Sequence, residues 1–290
     1  MTASVVVIGD ALLDIRVAPS EPPRRGSDVP ARIELEPGGQ GANVAVRLAR
    51  RGIAVELVSA LAADLAGEMI RSSLEADGVA LRAIEVPRTG AVVVLAEPHG
   101  ERTMLSQRVP FGHRVEARAA GSTSWLVVSG YVLAEPGSFR LAGDAAAWSG
   151  RRVLLGCALS TAAVAAWLEA ARALRPDLVI LNEGEMERLG TTDGLGMVAI
   201  TAADRATLLT AGGGSVVVDV PPGPAAVDTT GAGDAFAAGL LASLAAAAWP
   251  PSNAELRRAV ADGIALAGLV ARVDGAQARV ATEPRSGMPA

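Results

Sequence analysis

Asp234 is the residue of this chain best placed to do chemistry. It closes the run Asp228-Thr229-Thr230-Gly231-Ala232-Gly233-Asp234, and an apolar stretch with helical propensity continues from it to about Ala248, before Pro250-Pro251. Gly231 and Gly233 carry no side chain, so the backbone can bend tightly there and a bulky ligand can approach it closely. The first N–H groups of the following helix have no partner inside the helix and lie at the positive end of its dipole. That makes the turn an anion site suited to phosphate. A carboxylate set in such a site can take a proton from whatever group meets the phosphate. Capping residues and turn glycines would account equally well for a shorter motif standing alone.

Three other stretches carry chemical potential. In Gly9-Asp10-Ala11-Leu12-Leu13-Asp14 the two acids follow a β-branched run, Ser4 to Ile8, that reads as a buried parallel strand. Ligands of open parallel sheets gather at such strand ends. In Gly38-Gly39-Gln40-Gly41-Ala42-Asn43, small residues lead into a helix that ends near Arg51-Gly52. Asn43 offers both donors and an acceptor in its first turn. In Leu181-Asn182-Glu183-Gly184-Glu185 a strand end again meets a helix, which places Asn182 and Glu185 three apart on one face. Oxygen ligands of this kind suit Mg²⁺ held through water, with phosphates completing the shell; ordinary helix capping uses the same residues.

The elements that must position these groups can be traced in order. Residues 15–37, rich in proline with alternating Ile33 and Leu35, read as a pair of exposed strands. Ile53–Ser59 reads as a strand, and Asp64 caps a helix over about 65–76. Leu81–Val86, Ala91–Ala96 and Glu101–Ser106 alternate and are joined by turn-like residues, which predicts an antiparallel meander. With residues 15–37 it would form a small sheet apart from the core. From Trp125 onward strands and helices alternate: Trp125–Ser129, a helix over 136–148, Arg152–Gly156, a helix over 161–174, and Leu178–Leu181. That is the pattern of a parallel sheet with helices on both faces. Tyr131, the only tyrosine, follows the first of these strands and is a candidate for the substrate pocket. Gly212-Gly213-Gly214 turns a hairpin, and Ser252-Asn253-Ala254-Glu255 is a capping box opening a helix from Asn253 to about Arg272.

Composition removes several classes. The chain has 290 residues, 50% of them apolar, enough for one large core or one core with a small appendage. All 26 basic residues are arginine. A P-loop, a protein kinase and a pyridoxal enzyme each need a lysine this chain lacks. The net charge of −5 and the absence of an arginine run with interleaved aromatics argue against nucleic acid. One cysteine, Cys157, forms no internal disulfide, and His99 and His113 offer no zinc spacing. Nothing reads as a membrane span or a basic secretion leader, so a cytoplasmic location is expected.

The fourteen residues from Asp228 to Leu241 resemble, position for position, the C-terminal signature of the ribokinase-like sugar kinases, the phosphofructokinase-B (PfkB) family. Gly38 to Gly52 resembles the family's N-terminal signature, and Asn182 to Glu185 its Asn-x-x-Glu motif. The resemblance covers about residues 4 to 280 and implies a three-layer αβα fold with a mostly parallel central sheet and a small β lid. The core would comprise 1–11, 38–80 and 109–290, and the lid 12–37 and 81–108. It implies ATP-dependent phosphorylation of a primary hydroxyl on a sugar or ribonucleoside, with a ribose- or pseudouridine-like acceptor favoured. Asp234 would be the base, and Gly231, Ala232 and Gly233 would hold the transferred phosphoryl group. Asp14, Gly39 and Asn43, with Tyr131 beside them, would bind the acceptor. Asn182 and Glu185 would order Mg²⁺ through water, and Thr201 and Gly233 would contact nucleotide. Asp228, Thr230 and Gly275 resemble the residues that bind a monovalent cation, K⁺ included, in many members. A homodimer through the lid is a further implication.

The chain also departs from the pattern. Ala62 and Val109-Pro110 replace small residues usual in the family, and Cys157-Ala158 stands where members commonly show Asp-Pro. In the loop Thr201-Ala202-Ala203-Asp204-Arg205-Ala206, Ala203 and Ala206 replace two glycines that hold nucleotide. Alanine tolerates positive φ poorly, so either the loop differs or nucleotide binding is weaker. This favours a second reading, a catalytically weak sugar- or nucleotide-binding sensor of the same fold, against which the retained Asp234, Asn182 and Glu185 count. A dinucleotide-dependent oxidoreductase ranks lower, since no Gly-x-Gly-x-x-Gly follows the first strand. With no lysine, a phosphorylated acceptor is disfavoured, although Arg25 or Arg102 could serve it.

Overall fold

The computed structural model describes residues 4–26, 28–96, 102–115 and 125–281. The first half of the chain gives β1 (Ser4–Ile8), β2 (Leu12–Pro19), β3 (Ala31–Gly38), α1 (Gln40–Ala49), β4 (Ala54–Leu61) and α2 (Leu65–Ala76). Next come β5 (Ala80–Glu85), β6 (Ala91–Ala96), β7 (Arg102–Gln107), β8 (Trp125–Val128), α3 (Gly130–Leu133) and α4 (Ser138–Ala146). Then follow β9 (Arg151–Leu155), α5 (Val164–Leu174), β10 (Leu178–Asn182), α6 (Glu183–Leu189) and β11 (Met197–Thr201). The chain continues through β12 (Arg205–Leu209), β13 (Ser215–Asp219), α7 (Ala232–Ala245) and α8 (Asn253–Val270).

The large sheet has the order β13-β12-β11-β10-β9-β8-β1-β4-β5. Seven neighbouring strands from β11 to β5 are parallel, and the hairpin β12–β13 adds two antiparallel strands at one edge. Alternate residues of the central strands enter opposite cores: Val127, Val153, Leu155 and Ile180 on one side, Leu126, Val128, Leu154 and Val179 on the other. Helices α1, α7 and α8 cover the first side, and α3, α4 and α5 the second. Both faces are therefore buried, which is why these strands read as continuous apolar runs. From β1 the chain first builds outward through β4 and β5, then crosses back to lay β8 on the other side. The gap between the C-terminal ends of β1 and β8 is thus a topological switch point, where open parallel sheets place ligands.

The smaller sheet has the order β3-β2-β6-β7, with β2 and β6 parallel and the outer pairs antiparallel. Leu81–Val86, expected as the first strand of a lid meander, instead forms β5 and pairs in parallel with β4 at the edge of the large sheet. Its alternating pattern suits an edge strand half-covered by helix as well as a lid strand, and α2 is long enough to bring it back parallel to β4. The helix expected over 136–148 begins only at Ser138, because Gly137 adopts φ 82°, and a short helix, α3, precedes it. Gly100 and Glu101 of the expected lid hairpin, with the side chain of Arg102, lie outside the described residues, as does His99. Among the described residues no helix is long and apolar enough to cross a membrane.

Candidate active site

The N-terminus of α1 is pressed onto the end of β1. A Cβ on Gly9 would stand 2.6 Å from the Gly41 Cα, and one on Gly41 as close to the Gly9 backbone. Gly39, the N-cap of α1, has φ 97° and leaves no room for a side chain beside the Asp10 carbonyl. This packing carries Asn43 into the first turn of α1, where its N–H donates to the Gly39 carbonyl at 2.9 Å.

Asn43 then reaches across to α7. Its Nδ2 donates to Asp234 Oδ2 at 2.8 Å, while its Oδ1 accepts from Gln277 Nε2 at 3.0 Å. Because Gln277 supplies a donor, the amide must turn its own donor toward Asp234. The Gln277 loop is itself tied to α1. Arg47, fully buried, donates to the Ala276 carbonyl at 2.7 Å, and Arg50 donates to the Gln277 carbonyl at 2.8 Å while pairing with Asp77. The sequence reading names Gly275 of this loop, for a cation, but not Gln277 as the orienting group. The available signal was Arg47, four residues after Asn43 on a helix otherwise lined with small and apolar residues.

Asp234 lies in the first turn of α7, whose N-cap Gly231 adopts φ 75°. Burial pushes its carboxyl up to about 7; the Asn43 hydrogen bond opposes this shift, and the charges of Asp10 and Asp14 add to it. Asp14, on β2, is also pushed up to about 7, by burial first and then by Asp10 and Glu36. Its carboxyl fills the space where a Gly38 side chain would stand, which accounts for that glycine. Asp10 is buried and paired with Arg108, with Ser129 Oγ 3.3 Å from its carboxylate, so it braces the floor between β1 and β8. The Arg108 guanidinium also stacks over the Tyr131 ring, 3.6 Å from its centre. Arg108 and Tyr131 line a small cavity with Asp10, Leu12, Gly90 and Glu135. Arg108 was not foreseen, since it follows β7 with no motif around it.

A cavity of about 190 Å³ opens beside Asp234, lined by Gln40, Gly156, Asn182, Glu185, Thr201, Gly231 and Gly233. Gln40 spans its rear wall, donating to the Gly156 carbonyl at 2.8 Å and accepting from Ser129 Oγ at 2.7 Å. An apolar cavity of about 290 Å³ adjoins it, sharing Thr201 and Gly233 and lined by Ala203, Ala206, Phe236 and Ile264. A Cβ on Gly233 would meet no atom beyond its own turn of helix within 4 Å, so it would project into open space. Asn182 and Glu185 are three apart as expected, and they form a reciprocal capping box on α6: Glu185 N–H donates to Asn182 Oδ1 at 2.8 Å, and Asn182 N–H to Glu185 Oε2 at 2.9 Å. Both still line the cavity. No group of three or more acidic, histidine or cysteine side chains among the described residues could hold a metal. Beside Asp234, Glu185 is the one further carboxylate among the described residues lining this phosphate-sized cavity, and so sparse a donor set fits an ion such as Mg²⁺ that keeps most of its water and takes phosphate oxygens.

Ala203 sits at a bend and Ala206 within β12, where it is buried. Among the described residues Arg175 alone has positive φ without being glycine, so neither alanine needs a left-handed backbone. The loop differs from a glycine loop rather than straining to imitate one. Asp228, Thr230 and Gly275 do come together. Asp228 Oδ1 accepts from the Thr230 N–H at 2.8 Å and from its hydroxyl at 2.6 Å, and Oδ2 accepts from the Gly275 N–H at 3.2 Å. Beside that oxygen, at 3.4 Å, lies the Arg16 guanidinium.

Against known proteins, the family model described as pfkB family carbohydrate kinase matches residues 2–283. A fructokinase of Salmonella typhimurium is 32% identical over 290 residues, covering 86% of this chain and 87% of its own. A fructokinase of Klebsiella pneumoniae is 30% identical, covering 88% and 89%. Among solved structures, aminoimidazole riboside kinase from Salmonella enterica, complexed with aminoimidazole riboside and an ATP analog, superposes with a TM-score of 0.73 at 24% identity. It covers 94% of this chain and 95% of that one.

Proposed function

The chain belongs to the pfkB family of carbohydrate kinases, phosphotransferases with an alcohol group as acceptor, and from that premise we propose a specific reaction. It moves the γ-phosphoryl group of ATP to a primary hydroxyl of an uncharged sugar or riboside, with Asp234 as the general base. The observation that carries this is the hydrogen bond from Asn43 to Asp234, whose carboxylate lines a cavity together with Gly231 and Gly233. A carboxylate whose proton affinity is raised to about 7 is matched to accepting a hydroxyl proton near neutral pH. As the bond to phosphorus forms, the N–H groups at the start of α7 face the charge growing on the phosphoryl oxygens. Thr201 and Gly233 stand where the polar cavity meets the apolar one, an arrangement suited to phosphates on one side and a flat base on the other. Asn182 and Glu185 would hold Mg²⁺ through water, and when bound it neutralises phosphate charge.

Asp14, Gly39 and Asn43 would orient the acceptor, with Tyr131 and Arg108 closing the far side. Asp10 and Glu135 give this side an acidic lining, Asp14 feels the Asp10 charge, and Arg108 is engaged with Asp10, so a neutral acceptor is favoured over a phosphorylated one. The relatives named fructokinase put a ketohexose beside ribose and ribosides in the acceptor set. Pairing of two copies through the small sheet belongs to the same reading; Ile33 and Leu35 on β3 are 61% and 51% exposed, and sedimentation would test it. The deciding experiment is a coupled ADP-release screen over ketohexoses, aldohexoses, pentoses and ribosides with Mg²⁺. Turnover of at least one neutral acceptor is expected, and no ADP release with any of them would overturn the proposal.

A further inference from the structure

Arg16 reaches Asp228, one of the residues that the resemblance would have bind a monovalent cation. It lies on β2, two residues beyond Asp14 and therefore on the same face of the strand. Its guanidinium pairs with Asp274, stands 3.4 Å from Asp228 Oδ2 and reaches Glu36 at 3.7 Å. Asp228 spends its other oxygen on Thr230, inside the turn that leads to Gly231. Glu36 closes the opposite side, where it would collide with any side chain on Gly275. A bare alkali cation needs a shell of oxygens, and here the oxygens of Asp228 face N–H and O–H donors and a guanidinium. These residues therefore do not fit a bound monovalent cation.

We propose that Arg16 is a built-in cation for the Asp228–Gly231 turn, making this enzyme independent of K⁺ and coupling the acceptor-binding strand to the phosphate site. The inference rests on reading Gly231–Gly233 as that phosphate site. A fixed guanidinium holds the Asp228 carboxylate, and through it the Thr230 backbone, in the arrangement from which the α7 N–H groups meet phosphate. Because Arg16 and Asp14 share a strand face, an acceptor seated on Asp14 also holds β2, and with it Arg16, against the turn. Arg16 is a positioning residue, acting through Asp228.

The test compares K⁺ with tetramethylammonium chloride at equal ionic strength, so that general screening is the same in both. The readouts are ADP binding by calorimetry, melting temperature and, where an acceptor is known, kcat. In the parent chain all three should agree between the two salts to within about twofold or experimental error. Arg16→Ala should lose about tenfold in ADP affinity in tetramethylammonium, less than the roughly thirtyfold or more for truncating a buried charge that meets the ligand directly, and regain most of it in K⁺. Arg16→Lys should keep both affinity and salt independence. A parent chain that binds ADP several-fold tighter in K⁺ than in tetramethylammonium would overturn the proposal. So would an Arg16→Ala variant whose loss K⁺ does not relieve, or one that loses nothing. If Arg16→Ala fails to fold, the parent comparison and Arg16→Lys still decide. ADP binding and melting need no acceptor, so an empty acceptor screen would count against the proposed reaction and leave this test standing.

Discussion

Asn43 and Asp234, 191 residues apart in the chain, are joined by a 2.8 Å hydrogen bond from the amide to the carboxylate. The bond links the first turns of α1 and α7, the two helices that carry the glycine-bearing motifs, and it fixes which oxygen of Asp234 remains for a substrate. If Asp234 is the base, Asp234→Asn keeps size and capping ability but cannot accept a proton. The expected result is a fall in kcat of roughly a hundredfold to ten-thousandfold. Nucleotide affinity, read by calorimetry, should change little. A variant within about threefold of the parent under chemistry-limited conditions would remove Asp234 from its role.

The raised proton affinity of Asp234 has two consequences of opposite sign. Activity requires the ionised form, so kcat/KM should climb with pH and level off above about 7. Stability should move the other way. The folded state holds a proton on Asp234 up to about 7, whereas the unfolded chain releases it near 3.8, so between those values the folded state binds more protons and its advantage shrinks as pH rises. Asp234→Asn should therefore raise the melting temperature at pH 8 relative to the parent, with the gain fading as pH falls toward 4. An unchanged melting difference across that range would mean the carboxyl titrates normally.

Asn43 opposes the raised affinity by donating to the ionised carboxylate. Asn43→Ala should move the acid limb of the pH–rate profile to higher pH, and Gln277→Leu should do so more weakly, by freeing the amide to rotate. A limb that stays in place in Asn43→Ala would mean the amide does not tune Asp234.

Much of this site was legible in the sequence, because its parts are short motifs at element junctions. Gly39, Asn43, Asn182, Gly231 and Asp234 sit where a strand or turn meets a helix, and local spacing alone marks such places. The two-sided core was legible too, from continuous apolar runs separated by helical stretches. What escaped were groups that act across the fold. Arg16, Arg108 and Gln277 lie in strands or loops without local pattern, and each gains meaning only from a partner about 100 or more residues away. β5 was misplaced for a related reason: its alternation records one covered face, and sequence alone does not say which sheet covers it.

Asp14 should be separable from Asp234 by its effect on the acceptor. Asp14→Ala would leave acceptor hydroxyls without their partner, at about 1–3 kcal/mol for each charge-assisted bond, seen as a raised KM for the sugar. ATP binding should stay near the parent value. Equal losses of acceptor and ATP affinity would show that Asp14 holds the lid rather than the acceptor.

The two glycines of the α7 turn make a matched pair of tests. A Cβ on Gly231 would come within 2.8 Å of the Ala276 side chain, on a backbone with φ 75°, so Gly231→Ala should destabilise the fold. Gly233 is helical and has no neighbour beyond its own turn at that distance, so Gly233→Ala should leave stability equal or up to about 1 kcal/mol higher. Its methyl group would nevertheless enter the cavity beside Asp234. Loss of turnover without loss of melting temperature in Gly233→Ala would mark that glycine as kept for a ligand, and full activity would refute it.

Ala203 and Ala206 give the last prediction, and here the structure reverses the simplest expectation. Glycine at these positions would tighten ATP only if the loop needed positive φ, and neither residue has it. Instead both alanines line the apolar cavity that adjoins the phosphate side, and Ala206 is buried in β12. Ala203→Gly and Ala206→Gly each remove a methyl group and add backbone freedom to the unfolded chain, at about 0.5–1 kcal/mol of stability apiece. Each lost methyl should also weaken contact with a base in that cavity by up to about 0.8 kcal/mol. The double variant should melt lower than the parent and bind ATP several-fold more weakly by calorimetry with Mg²⁺. Tighter ATP binding in the double variant would mean that nucleotide seats against a loop conformation other than this one.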